Sequence, residues 1–250
     1  MTILTQVGGI AFLISEIVRK RMTWNSKFKP ILSFLVIYGL ITFLIVPVIA
    51  PIFGREQIKH SEKNNPTNYM TVILNRNYVR PALNKLLSNT EKSLKGSDIS
   101  INYLDANFPF INKFPLLPHL SHNDGKKVDI SLIYETKQGK ITNKQKSISG
   151  YGVFEDPTPN EANQIQKCLK QGYFQYDFPK HLTFGKKNKD LQFSKKGTQQ
   201  LILKLLDNNN LGKIFIEPHL KKRLNLRNNK IRYHGCRAVR HDDHIHIQLK

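Results

Sequence analysis

The feature that most constrains this chain is ILSFLVIYGLITFLIVPVIAPIF, residues 31–53, a run of 23 residues without one charge. At about 1.5 Å per residue a helix of that length reaches roughly 34 Å, enough to cross a hydrocarbon core of about 30 Å with some tilt. The competing reading, a buried helix of a soluble protein, fits poorly with so long an apolar run. Pro47 and Pro51 fall near the outer end, where a kink is tolerated. Arg19, Lys20, Arg21, Lys27 and Lys29 precede the span. By the positive-inside rule that flank stays cytoplasmic and everything after Phe53 is exported. Arg55, Lys59 and Lys63 beyond the span weaken this bias without reversing it. Trp24 is expected to anchor at the interface.

An earlier apolar run, VGGIAFLISEIV (7–18), is short and carries Glu16. It reads as an interfacial helix or a poor first span. A cleaved signal peptide fits badly, because the basic cluster follows this run and no small-residue cleavage site comes after it. The expected organisation is a basic cytoplasmic segment at 1–30 with a short apolar run, a transmembrane helix at 31–53, a polar linker at 54–69 and one domain at 70–250.

Lys and Arg number 39 against 18 Asp and Glu, a formal charge of +21. That balance suits an anionic partner such as nucleic acid, an acidic membrane or an acidic wall polymer, and equally a proteome in which many proteins are basic. No Arg-rich stripe interleaved with aromatics and no zinc-finger or RNP-like signature is present, so nucleic acid is not the favoured partner. The two cysteines, Cys168 and Cys236, form no Cys-x-x-Cys pair, which argues against thiolate metal chemistry. Outside the cytoplasm they could close a long loop as one disulfide, contributing roughly 4 kcal/mol in the chain-entropy model. Two buried free thiols are equally compatible with the sequence.

Alternation and turn chemistry predict strands at 98–104, 128–134 and 213–217. Helices are predicted to start or restart near Pro81, over 197–210, and at Pro218. Mixed elements without regular strand–helix alternation point to an α+β fold. The lysine-rich stretch 137–195 reads as a loop-rich insertion, and GYGVFEDPTP within it as a cleft rim or a turn. Glu217 and His219 are expected to cap or face solvent, and His60, His181 and His234 to lie on the surface.

Two short stretches hold five of the nine histidines. In HLSHNDGKKVDI (119–130), His122 precedes Asp129 through a turn in which Gly125 can adopt positive φ. Strand alternation puts Asp129 opposite the apolar face of Val128, Ile130 and Leu132. In RHDDHIHIQLK (240–250), His244 and His246 share one strand face while Ile245, Ile247 and Leu249 occupy the other. Asp242 and Asp243 could orient imidazoles, with at least one expected to be a solvated turn residue. A hydrolytic zinc site wants three protein N or O ligands and an open position. Its metal lowers the pKa of bound water to around 7, making hydroxide available.

The H-x6-D stretch with a late H-x-H resembles the metallopeptidase superfamily of lysostaphin-type enzymes, D-Ala-D-Ala peptidases and the hedgehog signalling domain. The nearer likeness is to the penicillin-insensitive murein endopeptidases, whose H-x-S-H-x-x-G-x-x-V-D-I and closing H-x-x-H-x-H patterns match HLSHNDGKKVDI and HDDHIH. The likeness covers roughly residues 105–250. It implies His122, Asp129 and His246 as Zn2+ ligands, His244 as the histidine that positions or deprotonates water, and His241 as the group that polarises the scissile carbonyl. His119 matches a further active-site histidine. The implied fold is a small central antiparallel sheet flanked by helices, with a zinc groove over it. The implied activity is cleavage of peptide crosslinks between peptidoglycan stem peptides, by an enzyme held on the bacterial inner membrane by a single span with its domain in the periplasm or facing the wall. A D,D-carboxypeptidase and a non-catalytic zinc-containing wall-binding module are the alternatives. Lys127 stands where the family has an acidic residue, and an anchor replaces its cleaved leader.

Overall fold

The computed structural model describes residues 1–21, 23 and 26–250. The expected role of Trp24 therefore lies outside the described residues.

Two alternating stretches, Val128 and Ile130 in one strand and Ile245, Ile247 and Leu249 in another, build the middle of the molecule. Six strands form one sheet: β1 Asn64–Pro66, β2 Ile101–Tyr103, β3 Lys127–Ser131, β4 Leu211–Phe215, β5 Ile231–Arg232 and β6 His244–Leu249. Their spatial order is β5-β4-β6-β3-β2-β1. The four middle strands pair antiparallel with one another, with His246 opposite Asp129 and His244 opposite Ser131. The edge strands β1 and β5 instead run parallel to β2 and β4.

The fold is thus α+β, but its sheet is mixed where an antiparallel one was expected. The cause lies in the connections. Among the main helices are α1 Gly8–Arg21, α2 Lys29–Phe53, α3 Pro81–Ser93, α4 Gln164–Lys170, α5 Lys195–Leu206 and α6 Pro218–Arg223. Helix α3 lies between β1 and β2, and α6 between β4 and β5. A strand that returns through a helix lands parallel to the strand it left.

Leu83, Leu86 and Leu87 of α3 and Leu201, Ile202 and Leu205 of α5 pack in one core with the apolar residues of β3 and β6. Each such buried side chain stabilises the fold by roughly 1.5–3 kcal/mol relative to exposure. Helix α3 starts at Pro81, whose missing N–H costs nothing in the first turn. Helix α5 starts where the Ser194 side chain accepts the Gly197 N–H.

Helix α2 is, among the described residues, the one helix long and apolar enough to cross a membrane. A wider turn at Ile41–Ile45 sits just ahead of Pro47, where a regular turn would bring the ring against the carbonyl four residues back.

The stretch 54–69, expected to be a polar linker, is built into the domain. Glu56–Gln57 pairs with Tyr78–Val79, and β1 adds to the main sheet. Arg55 is buried, donating to the Phe108 carbonyl, to Asn112 Oδ1 (2.6 Å) and to the Asn123 carbonyl (3.3 Å). The insertion 137–195 carries α4 and two strands of a small sheet, and Cys168 in α4 is disulfide-bonded to Cys236.

Candidate metal centre

His244 and His246 are two residues apart on β6, so both imidazoles leave the sheet on the face opposite Ile245 and Ile247. Asp129 leaves β3 on that same face, directly across from His246. His119 and His122 come from a tight turn closed by the His122 N–H on the His119 carbonyl (2.9 Å). Gly125 then turns the chain into β3 with φ of 76°, as its position in the sequence requires.

The structure brings four of the five expected site histidines around the sixth site residue, the Asp129 carboxylate. Asp129 Oδ1 lies 2.8 Å from His246 Nδ1 and 3.2 Å from His122 Nε2, and those two nitrogens are 3.0 Å apart. Asp129 Oδ2 lies 3.4 Å from His119 Nδ1 and 3.7 Å from His244 Nε2. His241 stays outside this contact, with its ring centre 4.9 Å from that of His244 and 5.7 Å from that of His246.

Two groups of buried residues could therefore hold a metal ion, His122–Asp129–His246 and His119–Asp129–His244. The first fits better. The Ala106 carbonyl, 2.6 Å from His122 Nδ1, can only accept, so Nδ1 carries the proton and Nε2 turns its lone pair inward. That lone pair and the Asp129 carboxylate then face His246 Nδ1 together, a set one cation satisfies better than one proton. A tetrahedral ion with bonds near 2.0–2.1 Å spaces its ligand atoms about 3.3 Å apart. The observed 2.8–3.2 Å triangle is a slightly contracted version of that. His119, His244 and His246 each also carry a buried Nε2 without a hydrogen-bond partner.

Burial alone would raise the Asp129 pKa, but His122, His244 and His119 outweigh it and hold the carboxyl well below its usual range. Burial pushes His119 and His241 well below the ordinary histidine value, and His246 down to about 4. His244 goes the other way. Burial opposes its charge, yet Asp129 and Asp243 hold its pKa up at about 9.

Asp243 makes that contact at His244 Nδ1, which leaves Nε2 pointing at Asp129. Its other oxygen accepts the Gly152 N–H at 2.6 Å. Asp242 is buried as well, held by the Arg240 guanidinium, which also reaches Asp177 (3.1 Å) and Asp156 (2.6 Å) and lies over Phe154. Neither aspartate is the solvated turn residue expected from the sequence. Glu217 and His219, read as capping or solvated, are also buried. Glu217 accepts the His241 N–H (3.0 Å) and the Tyr176 hydroxyl (2.6 Å), and His219 Nε2 donates to the Glu155 carbonyl (2.9 Å). His60 and His181 lie exposed, while exposed His234 stacks on His241.

Tyr151 is the site residue that sequence reasoning missed. Its hydroxyl donates to Asp129 Oδ2 at 2.9 Å and accepts the Asp105 N–H at 3.1 Å. Its ring packs against both His119 and His244, with centres 4.8 and 5.1 Å away. The signal was the pair of glycines in GYG. A Cβ on Gly150 would fall 2.2 Å from Leu104 Cδ2, and one on Gly152 would fall 2.2 Å from the Pro179 carbonyl oxygen. All six expected site residues are buried, none more than 5 % exposed.

No protein-family model matches this chain, and no curated protein matches it either.

Proposed function

We propose that this chain is a membrane-anchored, zinc-dependent murein endopeptidase that hydrolyses peptide crosslinks of peptidoglycan. One observation carries the reading: beside a His122–Asp129–His246 set sufficient to hold an ion, three more histidines line the same face. A purely structural metal has no use for them.

His122 Nε2, Asp129 Oδ1 and His246 Nδ1 would hold the zinc, which when bound polarises a carbonyl and lowers the pKa of its water. Asp243 aims His244, whose Nε2 holds or passes a proton at the reacting centre. His241, its backbone N–H held by Glu217, would donate to the carbonyl oxygen as charge develops there. His119 and Tyr151 steady the second oxygen of Asp129. Helix α2 would anchor the chain. The disulfide agrees with an oxidising compartment, the periplasm or wall side of a bacterial inner membrane.

The burial of all six residues favours a second reading, a non-catalytic zinc module that binds the wall. The test is incubation of the full chain in detergent with crosslinked muropeptide dimers, read by mass spectrometry beside an Asp129→Ala, His246→Ala variant. Dimers split by the wild type alone, and not after chelation, support the endopeptidase. Release of terminal D-Ala from intact dimers supports a D,D-carboxypeptidase, and bound zinc without product supports the binding module.

A further inference from the structure

Helix α1 is inside out by the standard of a water-soluble protein. Its buried residues are Gly8, Ala11 and Ser15, all small, while Ile10, Phe12, Leu13, Ile14, Ile17 and Val18 are exposed. Helix α2 buries Ser33, Thr42 and Ala50 together with Ile41 and Val46, and exposes most of its large apolar residues, Leu35, Phe43, Leu44 and Val48 among them. In water an amphipathic helix buries its large apolar side chains. In a bilayer the lipid tails take those side chains, and small residues at the seam let two helices approach.

The seam is antiparallel. Near the start of α1, Val7 and Ala11 share an apolar cluster with Ile41, Val46 and Ala50 from the far half of α2. Further along α1, Phe12 meets Phe34 of the near half, with ring centres 6.4 Å apart. Arg19, Lys20, Arg21, Lys27 and Lys29 lie at and beside the ends of the two helices where the sequence connects them. The opposite end of α1 touches the domain: Gln6 Oε1 accepts the Phe110 N–H at 2.8 Å, and Val7 clusters with Tyr78.

The three buried hydroxyls of this layer each find a partner within the protein, as hydrocarbon demands. The Ser15 hydroxyl donates to the Phe12 carbonyl (2.7 Å), the Ser33 hydroxyl to the Pro30 carbonyl (3.1 Å), and the Thr42 hydroxyl accepts from Asn75 (3.3 Å). Glu16, one turn from the basic end, is paired with Arg19.

The 14 residues of α1 reach only about 21 Å, short of a full crossing by themselves. We infer that α1 enters the lipid bilayer beside α2 as the short arm of a helical hairpin, its N-terminal end held against the domain. The residues ahead of Gly8 then lie on the same side as the domain, and only the basic connection faces the cytoplasm. This replaces the single-span anchor with a double one, and it rests on the reading of α2 as a membrane span.

The test uses full-length chains carrying Thr2→Cys, Ser26→Cys or Lys250→Cys in bacterial spheroplasts, probed with a membrane-impermeant maleimide. Cys168 and Cys236 are disulfide-bonded and do not react. The hairpin requires Thr2→Cys and Lys250→Cys to label in intact spheroplasts to the same extent as after lysis, with Ser26→Cys labelled only after lysis. Protection of Thr2→Cys until lysis, with Lys250→Cys still labelled, overturns the hairpin and leaves α2 as a single span. Release of the protein from membranes by alkaline carbonate overturns the hairpin together with the anchor reading itself.

Discussion

Asp129 and His246 face each other directly across two antiparallel strands, and their Oδ1 and Nδ1 atoms are 2.8 Å apart. Because strand register fixes this pair, the turn that carries His122 need only deliver one more nitrogen. Asp129→Asn keeps the shape but replaces the acceptor oxygen pair with an amide that cannot serve both histidine sets. Zinc affinity is expected to fall by more than the about 10–100-fold typical of groups that merely support ligands. Competition with a chelating dye checks this.

Tyr151→Phe removes the hydroxyl on Asp129 Oδ2 and leaves the ring packed against His119 and His244. The expected result is an about 10–100-fold loss in zinc affinity or turnover. The fold should persist, read as an unchanged circular dichroism spectrum. An effect on stability alone would reduce Tyr151 to packing.

Gly152→Ala meets two obstacles, a φ of 78° and the Pro179 carbonyl oxygen 2.2 Å from the new Cβ. The backbone conformation alone costs about 1–3 kcal/mol for a residue other than glycine. Denaturant unfolding should show at least that loss. The hydrogen bond from Gly152 to Asp243 would shift as well, loosening His244.

The metal-free protein should be most stable near pH 6.5 and lose stability on both sides, as far as these histidines decide. His246, with a folded pKa of about 4 against an ordinary value of about 6.5, takes up its proton only on unfolding between those values. Its contribution is present above that window and is lost as pH falls through it. His119 and His241 act in the same direction. His244, held at about 9, contributes stability that is full below about 6.5 and lost as pH rises toward 9. Thermal midpoints measured with chelator present, from pH 4 to 9, check both limbs. His244→Asn should flatten the alkaline one.

The middle of the fold was legible because Val128, Ile130, Ile245 and Ile247 alternate with Asp129, His244 and His246, a pattern that names strand and buried face together. The edge strands β1 and β5, with three and two residues, carry too little alternation to be seen. Their parallel pairing depends on how α3 and α6, which connect them to β2 and β4, pack against the sheet. Glu217 and Asp242 were misread for a related reason. Charged residues beside turns are ordinarily solvated, and only the fold brings Tyr176 and Arg240 to meet them. Tyr151 was hidden in an insertion without periodicity, with only its two glycines to mark it.

The most direct test of this account is the zinc content of the purified full chain, measured by mass spectrometry of the metal beside His122→Ala and His246→Ala variants. The account predicts one zinc per wild-type chain, retained through dialysis, and loss of it in both variants with the fold preserved. A wild-type chain that takes up no zinc when it is supplied, or variants that keep it, would contradict the assignment of His122, Asp129 and His246 as a metal site.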